Sequence, residues 1–394
     1  MFQYYQPTRI HFGAGKLDQL GDICKRYGTR ALMVTTPDAP LQPLYARVKQ
    51  ILQKEGIEVI HFDEVMPNPD AEMVERGFAL LKEHPCDFVL AVGGGSSIDT
   101  AKAIAFANGA DHIDWDHIFS AYDSPFTIDP SYSEQHLPLI SVPTTSGTGS
   151  QVTQAAVITR GKEKITFYHT DNFSRECIPD PECTLWRNYH TDNFSRECIL
   201  DPELMLTLPV RMSAATGFDA FTHAFEAYIN PRASHYSKMD SLEAMRLIVE
   251  NLPKVMEEPK ELRYREAMSL ADTLAGRALA NSGADAPHPL SEIIGGIAHM
   301  THGEALAVVF TPFIAHNLQK KKAAFDEIAE AIFHSDDLLG SFTAFLERIH
   351  LNKKLTDFGI SEEQFAEIKA SPILDHLPFG TREELEAILD DAYA

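Results

Sequence analysis

The chain is short of cysteine, short of positive charge and without a long apolar run, and each shortage closes off a class of function. Five cysteines, Cys24, Cys86, Cys177, Cys183 and Cys198, are scattered over 394 residues. An odd number with no CxxC pair argues against a disulfide framework or a zinc-thiolate site and predicts reduced thiols. Only 34 Lys and Arg stand against 57 Asp and Glu, a formal net charge of −23. A field of that sign repels phosphate backbones and anionic bilayers, so neither nucleic acid nor a membrane is expected as a partner. It leaves room for a local pocket that takes a phosphate-bearing cofactor. No apolar run approaches the ~20 residues that span a bilayer. The first residues, "MFQYYQPTRIHFGAGK", lack the apolar core of a signal peptide, and a cytoplasmic protein is expected.

What is present falls into two halves. "RALMVTT", "EVIHFDEV", "DFVLAV" and "LPLISVPTT" read as strands (Arg30–Thr36, Glu58–Val65, Asp87–Val92, Leu137–Thr145). "LYARVKQILQKEG", "AEMVERGFALLKEH" and "DTAKAIAFAN" alternate with them as helices. That alternation predicts an α/β domain with a mostly parallel sheet. Beyond about Pro209 the segments read as helices with no convincing strand, which predicts an all-α second domain. The expected domains are 1–203 and 204–394.

At the junction the chain repeats itself. Tyr168–Ile178 and Tyr189–Ile199 are identical, and Asp-Pro-Glu closes both copies. A solenoid needs at least three stacked units, so a repeat architecture is rejected. The expectation is a surplus copy without a catalytic role, two equivalent segments competing for one hinge position between the domains.

Four stretches carry the chemistry. "VGGGSSIDTAK" sets Gly93, Gly94 and Gly95 between a buried strand and a helix, where free N–H groups and a positive dipole end suit a phosphate. It is neither a GxGxxG fingerprint nor a P-loop. "SVPTTSGTGSQ" gathers the hydroxyls of Thr144, Thr145, Ser146 and Thr148 after a second strand. Two such loops at strand ends fit a ligand of an open α/β sheet. In "GFDAFTHAFEAYI", Phe218, Phe221, Phe225 and Tyr228 form an apolar helix face. Asp219 and His223 lie one turn apart on another face, with Glu226 nearby. "HPLSEIIGGIAHMTHGEAL" adds His288, His299 and His302. A carboxylate with two or three imidazoles suits Zn²⁺ or Fe²⁺. Spacing alone does not rank His288 against His299.

"GGGSSIDTAK", "PTTSGTGS", "GFDAFTHAFEAY" and "HGEALAVVFTP", in this order, resemble the iron-containing (group III) alcohol dehydrogenases of the dehydroquinate synthase-like superfamily. The resemblance covers essentially the whole chain. It implies a Rossmann-like dinucleotide-binding α/β domain, a helical metal-binding domain and a cleft between them. It implies Asp219, His223, His288 and His302 as ligands of one divalent metal, Fe²⁺ or Zn²⁺, with His299 left as a cleft or structural histidine. Thr36, Gly94, Gly95, Ser96, Asp99, Thr144, Thr145, Thr148 and Lys164 fall at the cofactor positions. An acidic residue at the place of Thr36 would hold the ribose and repel a 2′-phosphate, so this chain admits NAD or NADP, with Asp38 two residues on. Where many relatives carry another histidine beside the nicotinamide, this chain has Glu292, expected to be a fifth metal-proximal catalytic group or the partner of a base such as His299.

The implied activity is hydride transfer between NAD(P) and a small-molecule alcohol or aldehyde, in a homodimer or larger homo-oligomer. Two rivals stand beside it. A zinc-dependent glycerol-dehydrogenase-like polyol enzyme would not require His288. A non-catalytic dinucleotide-binding assembly protein would need no metal at all.

Overall fold

The computed structural model describes residues 6–124, 132–133, 135–161, 163–168 and 197–393. They divide into two compact units. One comprises Tyr5–Thr145 and Gly149–Met205; the other comprises Leu206–Ala394 together with Ser146–Thr148.

The first unit is built on a six-stranded parallel sheet. In chain order the strands are β1 (Arg9–Phe12), β2 (Arg30–Val34), β3 (Glu58–Phe62), β4 (Phe88–Gly93), β5 (Leu139–Pro143) and, after a hairpin, β8 (Glu197–Leu200). In space they run β1-β8-β5-β4-β2-β3. The central strands are buried along their whole length, as expected of a parallel sheet with helices on both faces. The helices here are α1 (Leu20–Cys24), α2 (Gln42–Lys54), α3 (Ala71–Glu83), α4 (Gly95–Ala107) and α5 (Trp115–Ala121). Asp70 caps α3 by accepting from the Met73 N–H at 2.7 Å, satisfying one of the donors that a helix start leaves open. β6 (Ala155–Arg160) and β7 (Glu163–Tyr168) form a separate antiparallel hairpin.

Three differences from the sequence reading have physical causes. α4 begins at Gly95, not at Asp99: packing overrides the poor helix propensity of Gly and Ser. The hairpin lies where no strand was expected. The end of the second tandem copy is not a hinge but a sheet strand, β8, paired parallel with β1 (Ile10↔Cys198) and with β5 (Ser141↔Cys198). The matching residues of the first copy, Glu176–Pro179, lie outside the described residues.

The charge inside β8 is met from afar. Glu197 is buried, and its carboxylate accepts from Tyr27 Oη at 2.7 Å and pairs with Arg9, Arg26 and His11. Asp201, next along, accepts from the main-chain N–H of Leu17.

The second unit is all helix among the described residues: α6 (Val210–Ile229), α7 (His235–Glu257), α8 (Leu262–Ser282), α9 (Pro287–Ala298), α10 (His302–Asn317), α11 (Lys322–Ile328), α12 (Leu338–Arg348), α13 (Glu362–Lys369) and α14 (Arg382–Tyr393). Phe218, Phe221 and Phe225 of α6 are fully buried and meet Phe310 and Phe342 ring to ring. Each contributes roughly 2–3 kcal/mol by burial. That stripe fixes the rotation of α6 and so fixes where its polar face points. Among the described residues, no helix is long and apolar enough to cross a membrane.

Candidate metal centre

Asp219, His223 and Glu226 lie on the face of α6 away from the phenylalanines. All three are buried, so this face is not a solvated stripe. Two helix starts converge on it. α9 opens with Pro287, and His288 follows in its first turn. α10 opens with His302. The residue after His302 must be glycine: a Cβ on Gly303 would sit 2.0 Å from the main-chain oxygen of Ala215 on α6. The His-Gly pair thus couples a donor to the close approach that delivers it.

The donors share one focus. Asp219 Oδ1 lies 3.5 Å from His223 Nε2, 3.7 Å from His288 Nε2 and 3.6 Å from His302 Nε2. Donors about 2.1 Å from a tetrahedral cation stand about 3.4 Å apart, so the separations from Asp219 would suit ligands of one ion. The donors of Asp219, His288 and His302 all lie within 4.8 Å of one another. His223 joins through Asp219 and by stacking on His288 at 4.6 Å between ring centroids. Asp219 Oδ1 and His288 Nε2 are buried with no hydrogen-bond partner in the protein. Buried polar atoms are rarely left so, and a divalent cation would satisfy both. Among the described residues no cysteine stands with these donors: Cys24, Cys86 and Cys198 lie in the other unit.

The far nitrogen of each ring is held by an acceptor. His223 Nδ1 donates to the Gly147 carbonyl at 3.2 Å. His288 Nδ1 donates to Glu226 Oε1 at 2.7 Å. Ser291 Oγ uses its own proton on the His288 carbonyl at 2.7 Å, so it accepts from His302 Nδ1 at 3.3 Å. With protons on all three Nδ1 atoms, the three Nε2 lone pairs face Asp219.

Electrostatics suit a cation. Burial alone would push the Asp219 carboxyl up, but the imidazoles of His223, His302 and His288 outweigh it and hold it at about 2. Burial pushes His223 down to about 4. Burial also disfavours a charged His288, yet Glu226 and Asp219 outweigh it and raise that imidazole well above the usual range. The proton this holds is one that a bound metal would displace.

The structure brings the four residues named from the sequence to one place, held by groups that the sequence reading does not assign. The sequence reading gives Glu226 no role beyond its place near Asp219 and His223; its offset of three from His223 on one helix face is the available signal. The Gly147 carbonyl carries no side chain to read. His299 is exposed at the C-cap of α9, in left-handed conformation at φ 55°, and is not among the donors. Glu292 is half-buried, one turn beyond His288. His299 lies two turns further along, about 10 Å of helix rise.

The expected cofactor residues gather in the first unit, with Thr148 in the second. β2 neighbours both β3 and β4, so the strand order reverses there, and such switch points are where open α/β sheets bind ligands. Thr36 follows β2, its hydroxyl 2.9 Å from Tyr45 Oη. Gly94 and Gly95 follow β4, and Gly94 leaves the α4 start without a side-chain cap. Ser96 is in the first turn. Thr144 donates its N–H to the Gly93 carbonyl at 3.0 Å, tying the two loops together; Thr145 lies against Gly94. Lys164 is on β7, opposite Thr159. Asp99 is different: both its oxygens are engaged within the unit, by Ser150 Oγ at 2.6 Å and the Val157 N–H at 3.1 Å.

Comparison with known proteins bears on the whole chain. Residues 7–181 match the iron-containing alcohol dehydrogenase family, and residues 213–393 match the C-terminal domain of the same family. A 1,3-propanediol dehydrogenase of Citrobacter freundii is 30% identical over 413 residues, covering 100% of this chain and 99% of that one. An NAD-dependent methanol dehydrogenase of Bacillus methanolicus is 31% identical, covering 91% of this chain and 88% of its own. The crystal structure of a 1,3-propanediol oxidoreductase superposes with a TM-score of 0.86 at 29% identity, covering 100% of each chain. With its parallel sheet, its helical second unit and one carboxylate facing three imidazoles, the chain belongs to the iron-containing alcohol dehydrogenase family.

Proposed function

We propose that Asp219, His223, His288 and His302 hold the divalent metal of this alcohol dehydrogenase, and that they do so in one shell. The observation that carries the assignment is the single focus: three Nε2 atoms at 3.5–3.7 Å from one otherwise unpartnered carboxylate oxygen. When bound, the metal supplies a Lewis acid for the substrate oxygen. The protein supplies orientation. His302 is the most exposed of the four, its side chain 29% accessible against 5–11% for the others, so the alcohol or aldehyde oxygen enters on its side.

The nicotinamide cofactor, NAD or NADP, is assigned to the α4 start (Gly94, Gly95, Ser96) for the pyrophosphate. Thr144, Thr145 and Thr148 add hydroxyls, and Lys164 is assigned to the nicotinamide ribose. Thr36 is neutral and leaves a 2′-phosphate unopposed at that position. Asp99 supports this region from below by holding Ser150. Glu292, one turn beyond His288 on α9, is assigned as the metal-proximal carboxylate that orients substrate. The chain is read as a cytoplasmic homodimer or larger homo-oligomer acting on small alcohols or aldehydes, with neither nucleic acid nor a membrane as partner.

The test is elemental analysis of purified protein, followed by an aldehyde panel with NADH and NADPH. One equivalent of Fe²⁺ or Zn²⁺, lost together with turnover when Asp219 is replaced, is the expected result. Full turnover after exhaustive metal removal would sink the assignment.

A further inference from the structure

Glu226 is a fully buried carboxylate, and both its oxygens point toward the start of α9. Oε1 accepts from His288 Nδ1 at 2.7 Å, and Oε2 accepts from the Asp285 N–H at 2.6 Å. Asp285 is itself fixed: Oδ1 accepts from the Ala286 N–H at 2.8 Å, and Oδ2 pairs with Lys321 at 2.7 Å. The other two imidazoles rest on uncharged acceptors at longer range, the Gly147 carbonyl at 3.2 Å and the Ser291 hydroxyl at 3.3 Å. Behind His288 the acceptor is a buried carboxylate.

We infer that Glu226 is a positioning residue of the metal centre: it fixes the His288 tautomer, strengthens Nε2 as a donor and pins the first turn of α9 to α6. The inference rests on the four-ligand assignment above and adds a residue that acts through one of the four. A carboxylate accepting from the far N–H of a ligating imidazole raises the basicity of the near nitrogen and locks the ring's direction. A charge-assisted bond does this more strongly than a neutral one. Because the second oxygen holds the Asp285 N–H, the ring and the main chain that carries it are clamped by one side chain. Neither Gly147 nor Ser291 offers that double hold.

The experiment compares Zn²⁺ affinity, by competition with a chromophoric chelator, in the parent chain, Glu226→Gln and Ser291→Ala. Glu226→Gln keeps the shape but can no longer accept from both N–H groups. It is expected to weaken Zn²⁺ binding about 10–100-fold, with Ser291→Ala losing less. A merely structural role would lower the melting temperature of Glu226→Gln and leave the affinity of the folded protein unchanged. The second readout needs no variant: in Zn²⁺-loaded parent protein with ¹⁵N-labelled histidine, His288 is expected to carry its proton on Nδ1. A Glu226→Gln affinity equal to that of the parent overturns the inference while the four-ligand assignment stands; a proton on Nε2 sinks both, because that nitrogen then has no lone pair for the metal. A parent chain that takes up no metal sinks both. If Glu226→Gln does not fold, Glu226→Asp, which keeps the charge but shortens the reach, should show the same loss in weaker form, and parent-like affinity there also overturns the inference.

Discussion

Lys102 Nζ donates to the main-chain carbonyl of Ala155 at 2.6 Å, joining the middle of α4 to the first residue of β6. The same ammonium reaches Ser150 Oγ at 2.9 Å and lies 3.8 Å from Asp99. Burial pushes its pKa down to about 8, with Asp99 opposing. Lys102→Met would leave the Asp99 carboxylate buried without its counter-charge, at a cost of about 3–5 kcal/mol. Urea denaturation should show that loss, and the KM for cofactor should rise more than the KM for alcohol. A variant as stable as the parent would mean Lys102 is not the clasp of this loop.

The ranking of His288 over His299 is open to a direct check. His288→Ala should lose metal and turnover together while its circular dichroism stays that of the parent. His299→Ala, at an exposed helix end, should keep both. Elemental analysis of the two variants decides, and the reverse pattern would overturn the ligand set.

Glu292 stands one turn from His288, and a cation held there would favour its ionised form. Glu292→Gln should therefore shift the pH profile of kcat. An unchanged profile would make Glu292 a spectator.

His61 should shape the acid limb of the stability curve. Burial, then Lys49, holds its pKa down at about 4, and Thr35 Oγ1 lies 2.8 Å from its ring. In the unfolded chain it titrates at its ordinary value of about 6.5. As pH falls from 6.5 to 4 the unfolded state gains a proton that the folded state refuses, so stability drops across that window and levels off below it. The ring is partly exposed, and after solvent screening the loss is of order 1–2 kcal/mol. His61→Gln should flatten the limb by that amount; superimposable stability–pH curves would contradict the assignment.

The tandem copy can be removed in two ways. Deleting residues 180–200 leaves Glu-Cys-Ile-Pro to form β8; deleting residues 168–188 leaves Glu-Cys-Ile-Leu. Both chains should fold, bind cofactor and turn over at least as well as the full chain, since Glu197 and Asp201 have equivalents in the first copy. The second should be more stable by about 1–3 kcal/mol, because Leu200 is buried and proline is a poor strand residue. Loss of the metal site in both would show that the extra copy is functional.

The helical half was legible because its signals are local. The phenylalanine stripe, the Asp-x-x-x-His spacing and the His-Gly pair each survive in a single helix or helix start. β8 was not legible, because "RECIL" opens the strand on a charge that Arg9, Arg26, His11 and Tyr27 meet, all from the N-terminal end of the chain. The α4 start was misplaced because glycine and serine weigh against helix locally. The roles of Glu226 and Ser291 stayed hidden because they depend on which ring each one faces.

Gly147 has a consequence for how this protein can be divided. Its carbonyl orients His223, and a Cβ there would fall 2.6 Å from Thr216. Ser146–Thr148 thus belong to the helical unit, although they are encoded inside the other. The C-terminal half is therefore not a detachable cassette. A gene split at residue 206 would yield a bundle whose His223 has lost its tether, and a chimera that borrows the helices must borrow this tripeptide with them.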